Sequence, residues 1–265
     1  MLNKIVAQTR RRIEVSQSRL PLAELESRIG QADPTRHFQK ALKAAGFGLI
    51  AEVKRASPSR GSLRPSLDAA DMARLYARAG ANAVSILTEP DFFQGSLEDL
   101  KAAREAMNLP LLRKDFILEP YQVYEARVFG ADAILLIVAI LPLKKLSQLL
   151  ALCQELGMDA LVEVHQQAEL ETALKANAQM IGINNRNLND FSADLKTTLR
   201  LRPLIPPEVV VVSESGIHSH ADVELLCQAG VDAVLIGEAL VTSPDPLAKI
   251  RELLGQPQPV KRPLS

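Results

Sequence analysis

Acidic and basic side chains stand together at the ends of several apolar segments of this sequence. Glu52 and Lys54 close "LIAEVK", and Lys114 follows an apolar pair in "LLRKD". Glu163 ends "DALVE", and Glu214 ends "VVVSE". Groups of both signs that meet in one confined space shift each other's pKa values and suit proton transfer. A lysine there could also form a Schiff base, and the residues alone leave both chemistries open.

Two turns rich in small residues are candidates for phosphate binding. "VSESGIHS" contains Ser215 and Gly216, and "LIGEALV" contains Gly237, each directly after an apolar run. If these runs are the last two strands of a parallel barrel, the turns are the ones that commonly hold phosphate through main-chain N–H groups. We therefore expect all three residues to bind a phosphate.

A recurring motif indicates which elements position these groups. "AGANAVS", "FGADAIL", "LGMDALV" and "AGVDAVL" share a Gly, one residue, Asp or Asn, Ala and then branched apolar residues. The Gly suits the left-handed position that ends a helix, and the apolar run suits a strand buried on both faces. The repeated unit of helix, Gly and buried strand predicts parallel strands joined by helices.

Eight segments qualify as strands, and helical patterns separate them. Eight such units match the ~250-residue (β/α)₈ TIM barrel better than a doubly wound open sheet, because no insertion or change of composition marks a second domain. The sequence thus predicts an α/β fold of this kind. The predicted strands span 48–54, 83–88, 110–115, 132–138, 159–164, 179–184, 208–213 and 232–237.

The three parts of the predicted single domain are an N-terminal helical extension (1–46), the barrel (47–254) and a flexible tail (255–265). Within the extension, helices are predicted over 21–29 and 34–46. The tail carries three prolines, which suits a frayed terminus.

The carboxyl ends of all strands in a parallel barrel face one way, and this mouth carries the active site. Side chains alternate along a strand, so Glu52 and Lys54 should share the inner face while Arg55 turns outward. His165, two residues after Glu163, should lie either beside that carboxylate or in solvent. We also expect Arg113, Asp115, Asn184 and Arg186 at the mouth.

Composition excludes several partners. Lys plus Arg and Asp plus Glu both number 31, so no net field favours nucleic acid or an anionic membrane. The longest apolar run, 133–141, is far shorter than the ~20 residues that span a bilayer. The N-terminus lacks a secretory signal, and Cys153 and Cys227 form neither a disulfide framework nor a metal-ligand pattern. We expect a cytoplasmic protein without a metal.

Long collinear segments of the sequence resemble the indole-3-glycerol-phosphate synthase family. The segments are "IAEVKRASPSRG", "SILTEPDFFQGSLEDL", "LLRKDFILEPYQVYEARVFGADAILLIVAIL", "LVEVH", "IGINNRNL" and "VSESGI". The resemblance implies conversion of 1-(2-carboxyphenylamino)-1-deoxyribulose 5-phosphate to indole-3-glycerol phosphate in tryptophan biosynthesis, with loss of CO₂ and water and without a cofactor. It also implies that the N-terminal extension helps to cover the active site.

The same resemblance implies catalytic roles for three residues. Lys114 corresponds to the general acid that protonates the ketone oxygen. Lys54 corresponds to the lysine that contacts the substrate carboxylate and can donate a proton during dehydration. Glu163 corresponds to a general base or charge stabiliser.

The remaining site residues implied by the resemblance bind the substrate. Polar residues would orient its hydroxyls and the lysines, a Ser–Arg pair would hold its carboxylate, and an apolar wall would face its aromatic ring. They are, in that order, Glu52, Asn184 and Glu214; Ser57 and Arg186; and Phe93, Phe116 and Leu188. Glu238 follows Gly237 and would repel a phosphate, so we expect its side chain to point away.

The expected partner is a phosphorylated small molecule, and we expect a monomer that could associate weakly with other tryptophan-pathway enzymes. Two alternatives are a Schiff-base aldolase or lyase acting on a sugar phosphate, and a barrel that binds a phosphate ligand without catalysis.

Overall fold

Eight parallel strands close into a barrel in the computed structural model, which describes residues 1–187 and 190–256. Each strand pairs with the next along the chain, and β1 also pairs with β8, so the predicted TIM barrel is confirmed. The strands are β1 Gly48–Val53, β2 Ala83–Leu87, β3 Leu111–Lys114, β4 Ala133–Ile137, β5 Asp159–Val164, β6 Met180–Asn184, β7 Val210–Glu214 and β8 Ala233–Ile236.

Helices precede the barrel and connect its strands. The loop after β1 also contains a small antiparallel ribbon, Ala56–Ser57 with Gly61–Ser62. The helices are α1 Leu2–Arg19, α2 Leu22–Ile29, α3 Phe38–Ala44, α4 Ala69–Arg78, α5 Pro90–Phe93, α6 Leu97–Ala106, α7 Pro120–Val128, α8 Leu143–Glu155, α9 Gln167–Lys175, α10 Lys196–Leu201, α11 His220–Gln228, α12 Glu238–Val241 and α13 Pro246–Leu253. No helix in the described part of the chain is both long and apolar enough to cross a membrane.

The recurring motif lies at the amino-terminal end of the barrel, where it joins each helix to the next strand. In three of its four copies the Asp or Asn side chain accepts a hydrogen bond from the main-chain N–H of a neighbouring strand, as Asn82 does from Leu49 at 2.8 Å. In the copy with Asp159 the donor is instead Gln39 of α3. The four motif glycines end helices with φ between 68° and 98°, a conformation that disfavours other residues. The motif thus ends a helix and fixes the next strand.

The segment before β1 closes this end of the barrel. Phe38 and Leu42 of α3 are fully buried and pack with side chains inside the barrel. Their burial contributes about 1.5–3 kcal/mol each. The predicted helix 34–46 is wrong at its start, because Arg36 donates its main-chain N–H to Asp132 and His37 adopts φ 48°, so the helix begins only at Phe38.

Alternation along the strands places the charged groups. In β1, Leu49, Ala51 and Val53 pack toward the helices, whereas Ile50 packs inside the barrel. Glu52 shares the inner face with Ile50 and follows it toward the carboxyl end. The apolar core thus gives way to charge at this end.

Candidate active site

One cavity at the carboxyl ends of the strands brings together thirteen of the fourteen predicted site residues. Leu188, the remaining one, lies outside the described residues. The thirteen are Glu52, Lys54, Ser57, Phe93, Lys114, Phe116, Glu163, Asn184, Arg186, Glu214, Ser215, Gly216 and Gly237. Their placement is a finding, whereas their individual roles stay predictions.

The ammonium group of Lys114 lies between two carboxylates. Its Nζ is 3.4 Å from Oε2 of Glu163 and 3.5 Å from Oε2 of Glu214. Burial disfavours its charge, but Glu163, Glu214 and Glu52 outweigh burial and raise the pKa of Lys114 above its ordinary value. Lys114 is therefore a protonated donor in the resting cavity.

Lys54 forms a separate ion pair. Its Nζ lies 2.8 Å from Oε1 of Glu52, whose side chain is buried. Burial alone would raise the pKa of Glu52, yet the charges of Lys54 and Lys114 lower it below its ordinary value. The Glu52 carboxylate is consequently charged and holds Lys54 at the cavity wall.

Glu214 differs from the other acids of the cavity. Burial, with the charges of Glu163 and Glu52, raises its pKa to about 8, although Lys114 acts in the opposite direction. Its buried Oε1 has no hydrogen-bond partner among the described residues. Glu214 can therefore carry a proton near neutral pH, and its Oε1 is packed against Gly182, where an added methyl group would overlap it.

The backbone after β7 has an unusual conformation. Ser215 and Gly216 both have positive φ, 68° and 75°. Such a conformation costs a non-glycine residue free energy, and strained residues of this kind cluster at binding and catalytic sites. Buried Asn185, which the sequence analysis missed, supports the turn by donating from Nδ2 to the carbonyl oxygens of Glu214 and Ser215 at 3.0 and 3.1 Å.

Glu238 lines the cavity, with its carboxylate turned toward two arginines. Nε of Arg60 donates to Oε1 at 2.9 Å, and Arg186 lies 3.3 Å from Oε2. The carboxylate thus pairs with cations while its side chain still lines the cavity. Its orientation relative to a bound phosphate stays a prediction.

An apolar wall combines predicted and unpredicted residues. Phe93 and Phe116 form a tilted aromatic pair with ring centroids 6.2 Å apart. Met1, Leu2 and Ile5 of the N-terminal segment reach the same cavity. No local sequence signal identifies these three, because only the packing of α1 brings them to the mouth.

Arg12 connects α1 to the mouth of the barrel. Its guanidinium group lies 2.9 Å from Oε1 of Glu89 and 3.0 Å from Oδ1 of Asp115, and both carboxylates are buried. Asp115 also accepts a hydrogen bond from Thr88 at 2.7 Å. Burial opposes the charge of Asp115, but Arg113 and Arg12 lower its pKa. This cluster fixes the helix that covers the cavity.

Two arginines lie outside the cavity. Arg113 was predicted at the mouth, and this is wrong: it follows alternation to the outer face of β3, where it pairs with Glu125 of α7 at 2.8 Å. Arg55 was predicted to turn outward, and it pairs with Asp99 of α6 at 2.5 Å.

Within residues 1–187 and 190–256, no group of three or more His, Cys, Asp or Glu residues could hold a metal ion. The expectation of metal-free chemistry stays a prediction.

Comparison with solved structures shows the same fold. The chain superposes on 3-hexulose-6-phosphate synthase from Salmonella typhimurium with a TM-score of 0.62 and 13% identity, over 78% of this chain and 96% of that one. For thiamine phosphate pyrophosphorylase from Pyrococcus furiosus the TM-score is 0.60 at 17% identity, over 78% and 94%. Identities this low support a common fold alone.

Sequence relatives are much closer. The indole-3-glycerol phosphate synthase of Dehalococcoides mccartyi is 55% identical over 259 residues, covering 96% of this chain and 100% of that protein. The enzyme of the same name from Roseiflexus sp. is 49% identical over 264 residues, covering 96% and 98%. Because the model of this family also matches residues 2–253, the chain belongs to the indole-3-glycerol phosphate synthase family.

Proposed function

We propose that this cavity closes the indole ring of 1-(2-carboxyphenylamino)-1-deoxyribulose 5-phosphate, with loss of CO₂ and water, to give indole-3-glycerol phosphate. The observation that carries the proposal is the Lys114 ammonium held between Glu163 and Glu214. A second cation, Lys54, stands in the same cavity. The reaction needs a proton donor for an oxygen and a cation for a carboxylate, and these two lysines supply them.

Ring closure joins the aromatic carbon to the ketone carbon. The Phe93–Phe116 wall faces the aromatic ring, and the turn at Ser215 binds the phosphate, so the two carbons are brought together. Lys114 donates its proton as the ketone oxygen becomes an alkoxide. That oxygen is far more basic in the transition state than in the ketone, so a lysine with a raised pKa still protonates it.

Decarboxylation follows from the carboxylate that the aromatic carbon carries. Lys54, Arg186 and Ser57 hold that carboxylate before it leaves. In the resting cavity Lys54 is paired with Glu52, and Arg186 lies beside Glu238. These internal carboxylates weaken the attraction of Lys54 and Arg186 for the substrate carboxylate. The substrate carboxylate is therefore oriented without being bound too tightly to leave as CO₂.

Dehydration needs a second proton on the same oxygen and a base for the adjacent carbon. Lys54 is the proposed donor, and Glu163 is the proposed base. Glu52, Asn184 and Glu214 orient the lysines and the substrate hydroxyls. Main-chain N–H groups at Ser215, Gly216 and Gly237 hold the phosphate, and the left-handed turn at the first two supports this assignment.

The charge of Lys114 argues against Schiff-base chemistry at this lysine. A nucleophilic lysine must be neutral, whereas the acidic groups around Lys114 raise its pKa and keep it an ammonium. A non-catalytic barrel is also poorly supported, because its cavity would not need three buried acids beside two lysines.

An assay of the purified chain tests the proposal. With the carboxyphenylamino substrate and a metal chelator present, we expect indole fluorescence to appear with turnover and borohydride to trap no adduct. If no indole-3-glycerol phosphate forms under these conditions, the proposed reaction is wrong.

We further propose a cytoplasmic monomer, with any association with other tryptophan-pathway enzymes being weak. Both cysteines are free, which suits a reducing compartment. Sedimentation of the purified chain, alone and with those enzymes, would measure the oligomeric state.

A further inference from the structure

A line of side chains leads away from Lys114 through Glu163. The two oxygens of Glu163 face different partners: Oε2 is 3.4 Å from Nζ of Lys114, and Oε1 is 3.4 Å from Nε2 of His165. On the far side of the imidazole, Nδ1 of His165 lies 3.1 Å from Oε2 of Glu169. Glu163 therefore stands between the proposed acid and a histidine to which no role has been given.

The imidazole of His165 is held in place and is only 11% exposed. Glu169 accepts the main-chain N–H of His165 at 2.7 Å as well as facing Nδ1. The buried Nε2 has no hydrogen-bond partner among the described residues, and Glu163 is within reach of it. An Nε2–H proton therefore faces an active-site carboxylate without a competing acceptor.

A second, polar cavity adjoins the first and gives this histidine a route to solvent. Its lining includes His165, Glu169 and Arg186, together with Gln166 and Arg200, which are exposed. Met1 and Leu2 line both cavities, and His165 lines the adjoining one directly. A proton can thus reach the imidazole without passing the substrate.

The proposed reaction consumes one proton from solvent in every turnover. The ketone oxygen gains two protons and leaves as water. One of them is balanced by the proton that the substrate loses from the carbon next to nitrogen. The other has no source in the substrate, because the carboxylate leaves as CO₂ and its electron pair stays behind. A covered cavity must therefore be supplied with a proton.

We propose that His165 is a positioning and relay residue that passes this solvent proton to Glu163, from which it returns to Lys114. The inference rests on the proposed function. After ring closure, and before Glu163 acts as a base, the N–H bond at Nε2 breaks and an O–H bond forms at Oε1 of Glu163. Rotation of the carboxyl group then presents the proton to the neutral Lys114 amine, and His165 regains a proton from the adjoining cavity. In dehydration Glu163 takes the proton from the carbon, and this proton replaces the one that Lys54 gives to the leaving water.

The charges around His165 suit this role. Burial disfavours the imidazolium, but hydrogen bonding to Glu169 and the charges of Glu163, Glu169 and Glu214 raise the pKa of His165 above its ordinary value. Arg186 and Arg200 also line the adjoining cavity. With the carboxylates around it, the ring is able to carry a proton near neutral pH.

The experiment compares the kcat and KM of wild type and of His165→Gln from about pH 6 to about pH 9, the range of histidine titration. Gln retains a hydrogen-bonding group but carries no proton. His37→Gln is the control, because His37 is exposed and precedes α3 at the opposite end of the barrel. Wild-type turnover in the same assay establishes the proposed function separately from the relay.

We expect His165→Gln to lower kcat about tenfold or more at low pH while KM changes little, which is modest beside a direct acid or base. The ratio of wild-type to variant kcat should shrink as pH rises, because only the protonated imidazole can pass a proton to Glu163. Added imidazole should restore part of the lost kcat. His37→Gln should behave as wild type.

A constant kcat ratio near one across this pH range would overturn the relay, as would a loss of kcat that is independent of pH and insensitive to imidazole. If His165→Gln does not fold, the Glu169→Gln variant provides the test of the relay instead. By weakening the support of the imidazolium it should move the alkaline fall of kcat to lower pH, and an unmoved profile contradicts the proposal.

Discussion

The carboxylate of Glu52 occupies the space in which a side chain at position 237 would stand. A methyl group built on Gly237 would overlap Oε1 of Glu52 and lie 3.0 Å from its Cδ. Glycine at the end of β8 therefore lets an acid from β1 reach the interior and pair with Lys54. Phosphate binding was the only reason for Gly237 that its sequence context predicted, and the structure adds this steric reason.

Gly237→Ala should displace the Glu52 carboxylate and break its pairing with Lys54. Overpacking of this kind costs about 1–3 kcal/mol. If the cost falls on the transition state, kcat/KM declines by about 5- to 150-fold. Gly30→Ala is the matched control, since nothing lies within 4 Å of the added methyl. Equal kcat/KM in the two variants would show that Glu52 moves aside without consequence.

Lys114→Ala should lower kcat by about 10²–10⁴, the range of general acid catalysis, while the substrate still binds. Single-turnover kinetics and a substrate titration measure the two effects separately. Lys101→Ala, an exposed lysine of α6, should leave both unchanged. Near-wild-type turnover by Lys114→Ala would remove this residue from the acid role.

Glu214→Gln should change how stability depends on pH. The folded-state pKa of Glu214 is raised from 4.5 to about 8, so the folded chain keeps a proton that the unfolded chain releases. This stabilisation is complete below the unfolded-state pKa and is lost as pH rises through the folded-state pKa. Within that window, each rise of one pH unit lowers the free energy of unfolding by up to about 1.4 kcal/mol, because this stabilisation is being lost.

Urea unfolding of wild type and Glu214→Gln across the same window measures that slope. The variant should lose less stability as pH rises, whereas exposed Glu171→Gln should follow wild type. Parallel curves for wild type and Glu214→Gln would mean that Glu214 is already ionised in the folded chain.

Much of the site could be predicted from the sequence because strands alternate and parallel strands end together. Once Glu52 was assigned to the inner face, Lys54 followed it, and both line the cavity. The same rule, applied to Arg55, correctly turned it outward. Alternation applied to Arg113 would have placed it on the outer face, because the neighbouring Lys114 was already assigned to the inner face.

Other parts of the site depend on contacts between distant segments. Met1 and Leu2 reach the mouth only because α1 packs across it, and no local pattern encodes that packing. The position of His165 was left open for a similar reason. Its burial depends on Glu169, one turn into the next helix, which accepts its main-chain N–H.

The Arg12 cluster predicts a link between stability and substrate binding. Arg12→Leu would leave Glu89 and Asp115 buried without the cation that lies 2.9 and 3.0 Å from them. Because Asp115 keeps Arg113 at 3.0 Å and Arg12 is 24% exposed, we expect a cost below the about 3–5 kcal/mol that breaking a fully buried ion pair from one side typically brings. Loosening α1 should also raise KM, because Met1, Leu2 and Ile5 would no longer line the cavity. Urea unfolding and steady-state kinetics measure these two effects.

Arg11→Leu is the matched control for Arg12→Leu, since Arg11 is the preceding residue of α1 and its side chain is exposed. The two substitutions remove the same charge and add the same apolar group, so only the buried contacts differ. We expect Arg11→Leu to retain wild-type stability and KM. If both variants behaved alike, the charge of the helix rather than its attachment through Arg12 would account for the effect. A loss of stability in Arg12→Leu with unchanged KM would instead mean that α1 keeps its place over the cavity without this ion pair.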